Sequence, residues 1–244
     1  TTGDIWGYKL KRNAQGEVII TAAGLPARPS EIEYVACALP DWEGAFNTSL
    51  RFKNLSFSMQ WDGKVGGKTY SQSHHKMCEQ GHLSETLNGR KTGTSLYLDI
   101  TDPDVLKLFE QQKITPVAGV YCIAPGVVDN GDGTYSPNRK LVTLESYYKE
   151  YYRIGNVETN TFSTTYLKLR EVRLDYQLPK KWLKNTFISN ASVGVYGRNL
   201  LCITSYPMFD PETTSLDGNT FVPGVEVGTL PTSRSWGVNL KVDF

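Results

Sequence analysis

From Trp236 to Phe244, apolar side chains occupy every second position: Trp236, Val238, Leu240, Val242 and Phe244. Ser235, Gly237, Asn239, Lys241 and Asp243 alternate with them. Successive side chains of a β-strand point to opposite sides, so this pattern predicts a strand with one apolar and one polar face. Four other segments repeat it. Phe46, Leu50 and Phe52 alternate with Asn47, Ser49 and Arg51, and Leu55, Phe57, Met59 and Trp61 with Ser56, Ser58, Gln60 and Asp62. Val172, Leu174, Tyr176 and Leu178 alternate with Arg173, Asp175 and Gln177, and Ala191, Val193 and Val195 begin a further strand with a less regular second half. One ten-residue run of this kind arises by chance in about one window per thousand at this apolar content, so a lone run would mean little. Several such runs bounded by turn residues predict a sheet.

The pattern also predicts irregularities. Leu167 and Leu169 sit on the opposite parity to Val172, so the phase slips at Arg170-Glu171, by a bulge or by the strand leaving its apolar surroundings. Pro179 stops the strand. Lys53-Asn54 joins the first two runs as a tight hairpin, with Asn54 suited to the positive φ of such a turn. The connections are unequal: two short ones alternate with two long ones. In a meander, the short turns then lie at one end and the long loops at the other, which is the layout of an outer-membrane barrel. The ten-residue run Ser235 to Phe244 matches the ~9–11 residues a tilted strand needs to cross hydrocarbon. Five strands fall short of the roughly eight that close a barrel, so the chain is expected to be a piece of a larger one.

Within the long middle segment, residues 71–83 and Pro103 to Gln112 are predicted as short helices, the second with Asp102 as N-cap and Pro103 in its first turn. The stretch DNGDGTY is a Gly-rich hairpin turn, and SYYKEYYRIG a further helical turn.

A net charge of +1 gives no general pull toward nucleic acid, and no nucleic-acid partner is expected. No run approaches the ~18 apolar residues of a spanning helix, which says nothing about barrels. Cys37, Cys78, Cys122 and Cys202 are widely spaced and suit neither a zinc ribbon nor a disulfide scaffold. The chain opens on TTGDIWGYK without Met, as expected of a processed or truncated product.

Candidate chemistry is sparse. On a helix, His74, Cys78 and His82 share one face, but they would span about 12 Å, too far for one ion; His74 with Cys78, or Cys78 with His82, would need ligands from elsewhere. An ordinary polar helix is the expectation, with no metal and no cofactor. Asp129 is followed by Gly131 and Gly133 where a calcium loop needs oxygen ligands. No nucleophile elbow, P-loop or dinucleotide fingerprint occurs, so no catalytic residue and no enzyme is expected. Tyr147, Tyr148, Tyr151 and Tyr152 are candidates for stacking on substrate; the competing reading, favoured in so long a loop, is that they pack the loop on itself. Trp182 and Phe187, beside Lys180, Lys181 and Lys184, suit a membrane interface.

Several stretches, in order, resemble the C-terminal barrel region of the SusC/RagA family of TonB-dependent outer-membrane transporters. They are GDIWGYKLKRNAQGEV, ALPDWEGAFNTSLRFKNLSFSMQWDGKVGGKTYS, SPNRKLVTLESYYKEYY, TYLKLREVRLDYQLPKKWL, VYGRNLLCITSYPMFDPE and LPTSRSWGVNLKVDF. The resemblance implies an all-β fold: an antiparallel partial transmembrane β-barrel, about the last five strands of a larger one, with long extracellular loops containing short helices. Residues 1–44 would be an extracellular loop, 45–63 a hairpin, 64–161 a long extracellular loop and 162–244 the last three strands. It implies import of glycans or peptides across the outer membrane of a Gram-negative bacterium. The implied partners are a SusD-like surface lipoprotein, the TonB complex acting through a missing N-terminal part, outer-membrane lipid, and the barrel-assembly machinery, for which Phe244 would be the signal. Without plug or TonB-binding segment, the chain alone is expected not to transport. The lipid face would hold Phe46, Leu50, Phe52, Leu55, Phe57, Met59, Trp61, Val172, Leu174, Tyr176, Val193, Val195, Trp236, Val238, Leu240, Val242 and Phe244. The lumen face would hold Arg51, Gln60, Arg173, Asp175, Asn239 and Lys241. A secreted β-sandwich that binds carbohydrate is the rival reading, since its strands would alternate too.

Overall fold

Five long strands carry the alternation, in a computed structural model that describes residues 3–217 and 220–244. They are β1 (Pro40–Phe52), β2 (Leu55–Gly66), β3 (Tyr166–Gln177), β4 (Asn190–Thr204) and β5 (Ser235–Asp243). Each pairs antiparallel with its neighbour in sequence, giving one five-stranded meander. The short connections, Lys53-Asn54 and 178–189, lie at one end, and the long ones, 67–165 and 205–234, at the other. The second short connection contains one helical turn, Lys180–Leu183. Closure into a barrel is not seen: β1 and β5 are free edges of this sheet.

Register turns the five sequence patterns into one surface. Leu50, Phe57, Leu174, Val195 and Val238 lie opposite one another in a row across the sheet, and Phe52, Leu55, Tyr176, Val193 and Leu240 form the next. The hairpin runs further than the alternation suggests, with Gly44 opposite Gly63 and Trp42 opposite Val65. Trp42 and Phe52 lie ten residues apart on β1, about 34 Å along a strand and about 25 Å along the axis of a barrel with ordinary tilt.

The phase slip in β3 is a bulge. Leu169 lies opposite Trp61, and Glu171 opposite Gln60, so β3 carries an extra residue there. Arg170 and Glu171 both reach the polar face, where Arg170 meets Asp62 and Glu171 meets Arg198. As a result Leu167 and Leu169 stay on the same apolar face as Val172 and Leu174, because a second residue absorbed on one side restores the period of two. The strand does not leave its apolar face there. The slip continues into β4, where Asn199 takes φ +53°. Gly197 lies opposite Trp236, whose ring covers it so closely that a Cβ would sit 2.7 Å away. These two features account for the irregular second half of β4.

One turn assignment is corrected. Lys53, not Asn54, takes the positive φ (51°). Asn54 ties the turn to β3 instead: its Nδ2 donates to the Gln177 carbonyl at 2.7 Å, and its own carbonyl accepts from the Gln177 amide.

The long loops fold by themselves. Helices α1 (Gln72–Glu79), α2 (Pro103–Gln111) and α3 (Leu144–Tyr151) are capped by Ser71, Asp102 and Thr143, each side-chain oxygen accepting a backbone N–H of the first turn. Strands Val127–Asp129 and Tyr135–Pro137 flank the DNGDGT turn as a hairpin. The main hydrophobic cluster, which includes Leu96, Cys122, Ala124, Val142 and Leu144 of the 67–165 loop and Ile20 of the segment before β1, lies outside the sheet. The three loop segments interlock, since Ile19–Ile20 pairs with Val127–Asp129 and Val225–Glu226 pairs with Lys68–Ser71. The molecule's dry core therefore lies beside the sheet's loop end, while the apolar face of the sheet is left uncovered.

Candidate functional site

The first functional feature is that uncovered face. Phe46, Leu50, Phe52, Val195, Ile203, Trp236, Val238 and Leu240 are all exposed, Leu240 by 71%. Ordinary monomers rarely expose a contiguous apolar patch beyond a few hundred Å², and this one covers the whole sheet. The opposite face is polar and bonded within itself. Arg173 pairs with Asp175 at 2.5 Å, Asn239 Nδ2 donates to Asp175 at 3.0 Å, Arg51 donates to Gln177 at 2.8 Å, and Gln177 donates to Asn190.

The second feature is a clamp at the loop end of the polar face. Lys168 and Arg170 on β3 reach over the segment Asp210–Glu212. Lys168 Nζ lies 2.6 Å from Asp210 and also binds Glu212; Arg170 binds Glu212 and makes two bonds to Asp62, at 2.6 and 2.8 Å. The Tyr166 hydroxyl donates to Glu212 (2.7 Å) and lies 3.1 Å from Asp62, and Thr232 donates to Asp210. Lys168 and Asp210 are buried. Burial pushes the Asp210 carboxyl up, but the bonds from Lys168, Thr232 and the Glu212 amide outweigh it and hold the group below the usual carboxylate range. Glu212 shows the same balance, with burial opposed by Arg170, Lys168 and Tyr166. A cavity of about 290 Å³, lined by Lys168, Cys202, Phe209, Asp210 and Thr232, adjoins the clamp. The sequence reading did not single out these residues as a site. The available signal was charge complementarity between Lys168/Arg170 and the later Asp210/Glu212.

The tyrosine group is brought together on α3 as one stack. Tyr147 and Tyr151 stack at 5.5 Å between centroids, and Tyr148 and Tyr152 at 6.1 Å. Tyr147 and Tyr148 are buried in the loop cluster, and Tyr151 and Tyr152 pack against it. The Tyr148 hydroxyl sits 2.7 Å from the Asn88 carbonyl and 3.2 Å from that of Glu85. Burial raises its pKa to about 12. These rings hold the loop together, with Tyr147 and Tyr148 buried in it. Replacing Tyr148 by Phe keeps the ring and loses the hydroxyl, so a loss of ~1 kcal/mol is expected in thermal unfolding of the loop region.

On α1 the structure pairs His74 with Cys78, as the spacing predicts, but the third neighbour is Glu85 rather than His82. His74 Nε2 lies 3.3 Å from Glu85 and 3.6 Å from Cys78 Sγ. The neighbouring His74 ring and the Tyr152 hydroxyl hold the Glu85 carboxyl below the usual range against the effect of burial. All four cysteines are free thiols. At the turn end, Phe244 stacks on Phe187 at 5.5 Å, and both rings and Trp182 are exposed.

No known family profile matches the chain. Over 210 residues, or 84% of its length, it is 21% identical to the TonB-dependent receptor P3 of Formosa agariphila and 24% identical to the TonB-dependent receptor P26 of the same organism. It covers 16% and 17% of those proteins, so it spans about a sixth of the curated relatives it matches. Among solved structures, the RagAB peptide importer in its closed-closed state superposes with a TM-score of 0.57 at 16% identity, over 100% of this chain and 24% of that one. The open-open state gives 0.53 at 14% identity, over 98% and 22%. The chain is thus distantly similar, over most of its length, to TonB-dependent receptors and to part of the RagA barrel. The relatives are receptors and an importer, not enzymes.

Proposed function

We propose that this chain is the five-strand C-terminal part of a TonB-dependent transporter in the outer membrane of a Gram-negative bacterium. Its apolar face meets lipid, its polar face lines the lumen, and its folded loops face outward. The observation that carries this reading is the sheet-wide exposed apolar face, with the dry core displaced into the loops. A sandwich would use such a face as its core and cover it with a second sheet; among the described residues no second sheet does so.

The complete protein imports nutrients together with a SusD-like surface lipoprotein seated on the loop end. Peptides are the first cargo class to test, since the solved structures with the similar fold are of a peptide importer; glycans are the second. TonB acts through the part of the transporter outside this chain, and Phe244 at the turn end is the proposed assembly signal. The test is fractionation of the intact protein with an affinity tag. It is expected in outer membranes, to require detergent for extraction, and to run faster on a gel before boiling than after. A detergent-free soluble monomer would overturn the proposal and favour the sandwich.

A further inference from the structure

Asn160 fixes the state of the His74 ring. Its two amide hydrogens are committed to the Tyr152 and Asn156 carbonyls, both at 3.1 Å, so its Oδ1 faces His74 Nδ1 at 3.0 Å as an acceptor. Nδ1 therefore carries a proton, and Nε2 is the free nitrogen, buried and packed between Phe162 and Tyr152. That lone pair faces a Glu85 oxygen at 3.3 Å and Cys78 Sγ at 3.6 Å, with Sγ nearer to Nε2 than to Nδ1 (3.9 Å). These three atoms converge on one point, where the Cys78 thiol proton, a proton on Nε2 or a metal ion can lie between them.

The spacings suit the metal. Ligand atoms at ordinary zinc bond lengths in a tetrahedron lie about 3.3–3.6 Å apart; the two distances from Nε2 match this, and Cys78 Sγ and the Glu85 carboxylate lie within 4.8 Å of each other, so a small approach of that pair completes the set. Imidazole, thiolate and carboxylate together suit zinc, and their charge neutralises a divalent ion. The outer partners are in place too. Asn160 accepts from the His74 ring, and the Tyr152 hydroxyl donates to the second Glu85 oxygen at 2.9 Å. A cavity of about 520 Å³, lined by residues that include Cys78, Arg90 and Tyr148, adjoins the group.

We propose that His74 Nε2, Cys78 Sγ and Glu85 hold one divalent transition-metal ion of the zinc class, with water as the fourth ligand. This departs from the expectation of a metal-free helix, because the third ligand comes from the 3-10 turn Ser84–Leu87 and not from α1. The ion would staple α1 to that turn and, through Asn160 and Tyr152, to α3. Burial raises the Cys78 thiol to about 12, so the ion must displace its proton, and binding releases protons to solvent.

The test uses the intact protein, extracted in detergent and stripped of metal. It is expected to bind one Co2+ per chain with the near-ultraviolet absorption of a cobalt–thiolate bond, and Zn2+ should displace it. Cys78→Ser is expected to abolish that band, while Cys202→Ser, at an exposed thiol, leaves it unchanged. Glu85→Gln, at a half-exposed side chain that keeps its shape, is expected to weaken Zn2+ binding at least ~10-fold in calorimetry, so the proposal is tested even if Cys78→Ser fails to fold. Zn2+ heats equal to buffer, a band that survives Cys78→Ser, or unchanged affinity in Glu85→Gln would overturn it. The first of these leaves a hydrogen-bonded His74–Cys78–Glu85 cluster where the metal was placed.

Discussion

Lys168→Met is expected to release the segment 205–234 from the sheet. The substitution keeps most of the side-chain volume and removes the one ammonium that bridges Asp210 and Glu212. Glu212 retains Arg170, but Asp210, only 3% exposed, keeps neutral donors alone. Breaking a buried ion pair from one side costs about 3–5 kcal/mol, because the remaining charge stays away from water. Arg173–Asp175, on the open polar face, offers the contrast: its partners are 42% and 22% exposed, and such pairs contribute about 0–1 kcal/mol. Limited proteolysis of the detergent-extracted intact protein reads the difference. New cleavage within 205–234 is expected for Lys168→Met and not for Arg173→Met. Adding Asp210→Leu to Lys168→Met should restore part of the protection, since the orphaned carboxylate is then gone. Equal resistance of wild type and Lys168→Met would remove the clamp from the account.

The same clamp has a pH signature. Asp210 and Glu212 are both held below the usual carboxylate range. A carboxyl depressed in the folded state stabilises it fully above the unfolded pKa, and that contribution fades as pH falls through the folded value. The clamp is therefore closed at neutral pH and opens only in acid below the ordinary carboxylate range. Amide exchange in 205–234, followed down a pH series and corrected for intrinsic rates, is expected to show protection lost there and not near neutrality.

What the sequence disclosed follows from how local each signal is. The five strands were legible because period-two alternation is a property of consecutive residues, and the start of α2 because Asp102 and Pro103 act within its own first turn; the cap of α3 by Thr143 was not read from the sequence. The break in alternation at Arg170-Glu171 was visible, but its meaning was not: only the register against Gln60 and Trp61 distinguishes a bulge from a strand that changes surroundings. The positive φ at Lys53 was missed because Asn54 spends its side chain on Gln177, 123 residues away. Distance in sequence also hid the clamp, which joins Asp62, Lys168 and Asp210 across two strands and a loop. For α1, the spacing could pair His74 with Cys78 but could not name a further neighbour, because Glu85 reaches them from the next turn only in the folded chain.

Val172→Arg is expected to cost about 2–4 kcal/mol of folding stability in lipid, and Tyr176→Arg only about 0–1. The reasoning rests on depth. On β3 the apolar face runs from Leu167 to Tyr176, with Val172 near its middle, opposite Met59 and Gly197. Tyr176 lies at the turn end, level with Leu55 and Val193 and near the short connections. If lipid covers this face, a guanidinium at Val172 sits where no water reaches, while one at Tyr176 can extend to the headgroups. A protein core covering the face would penalise both positions alike, and bulk water would penalise neither. Ser58→Arg, on the polar face opposite Arg173, controls for charge and size and is expected to stay within ~0.5 kcal/mol. Denaturant titration of the intact protein in lipid vesicles measures all three. A steep difference between Val172 and Tyr176 is what a bilayer produces; equal costs at the two depths would mean that the apolar face has some other cover, and the membrane assignment would fall with it.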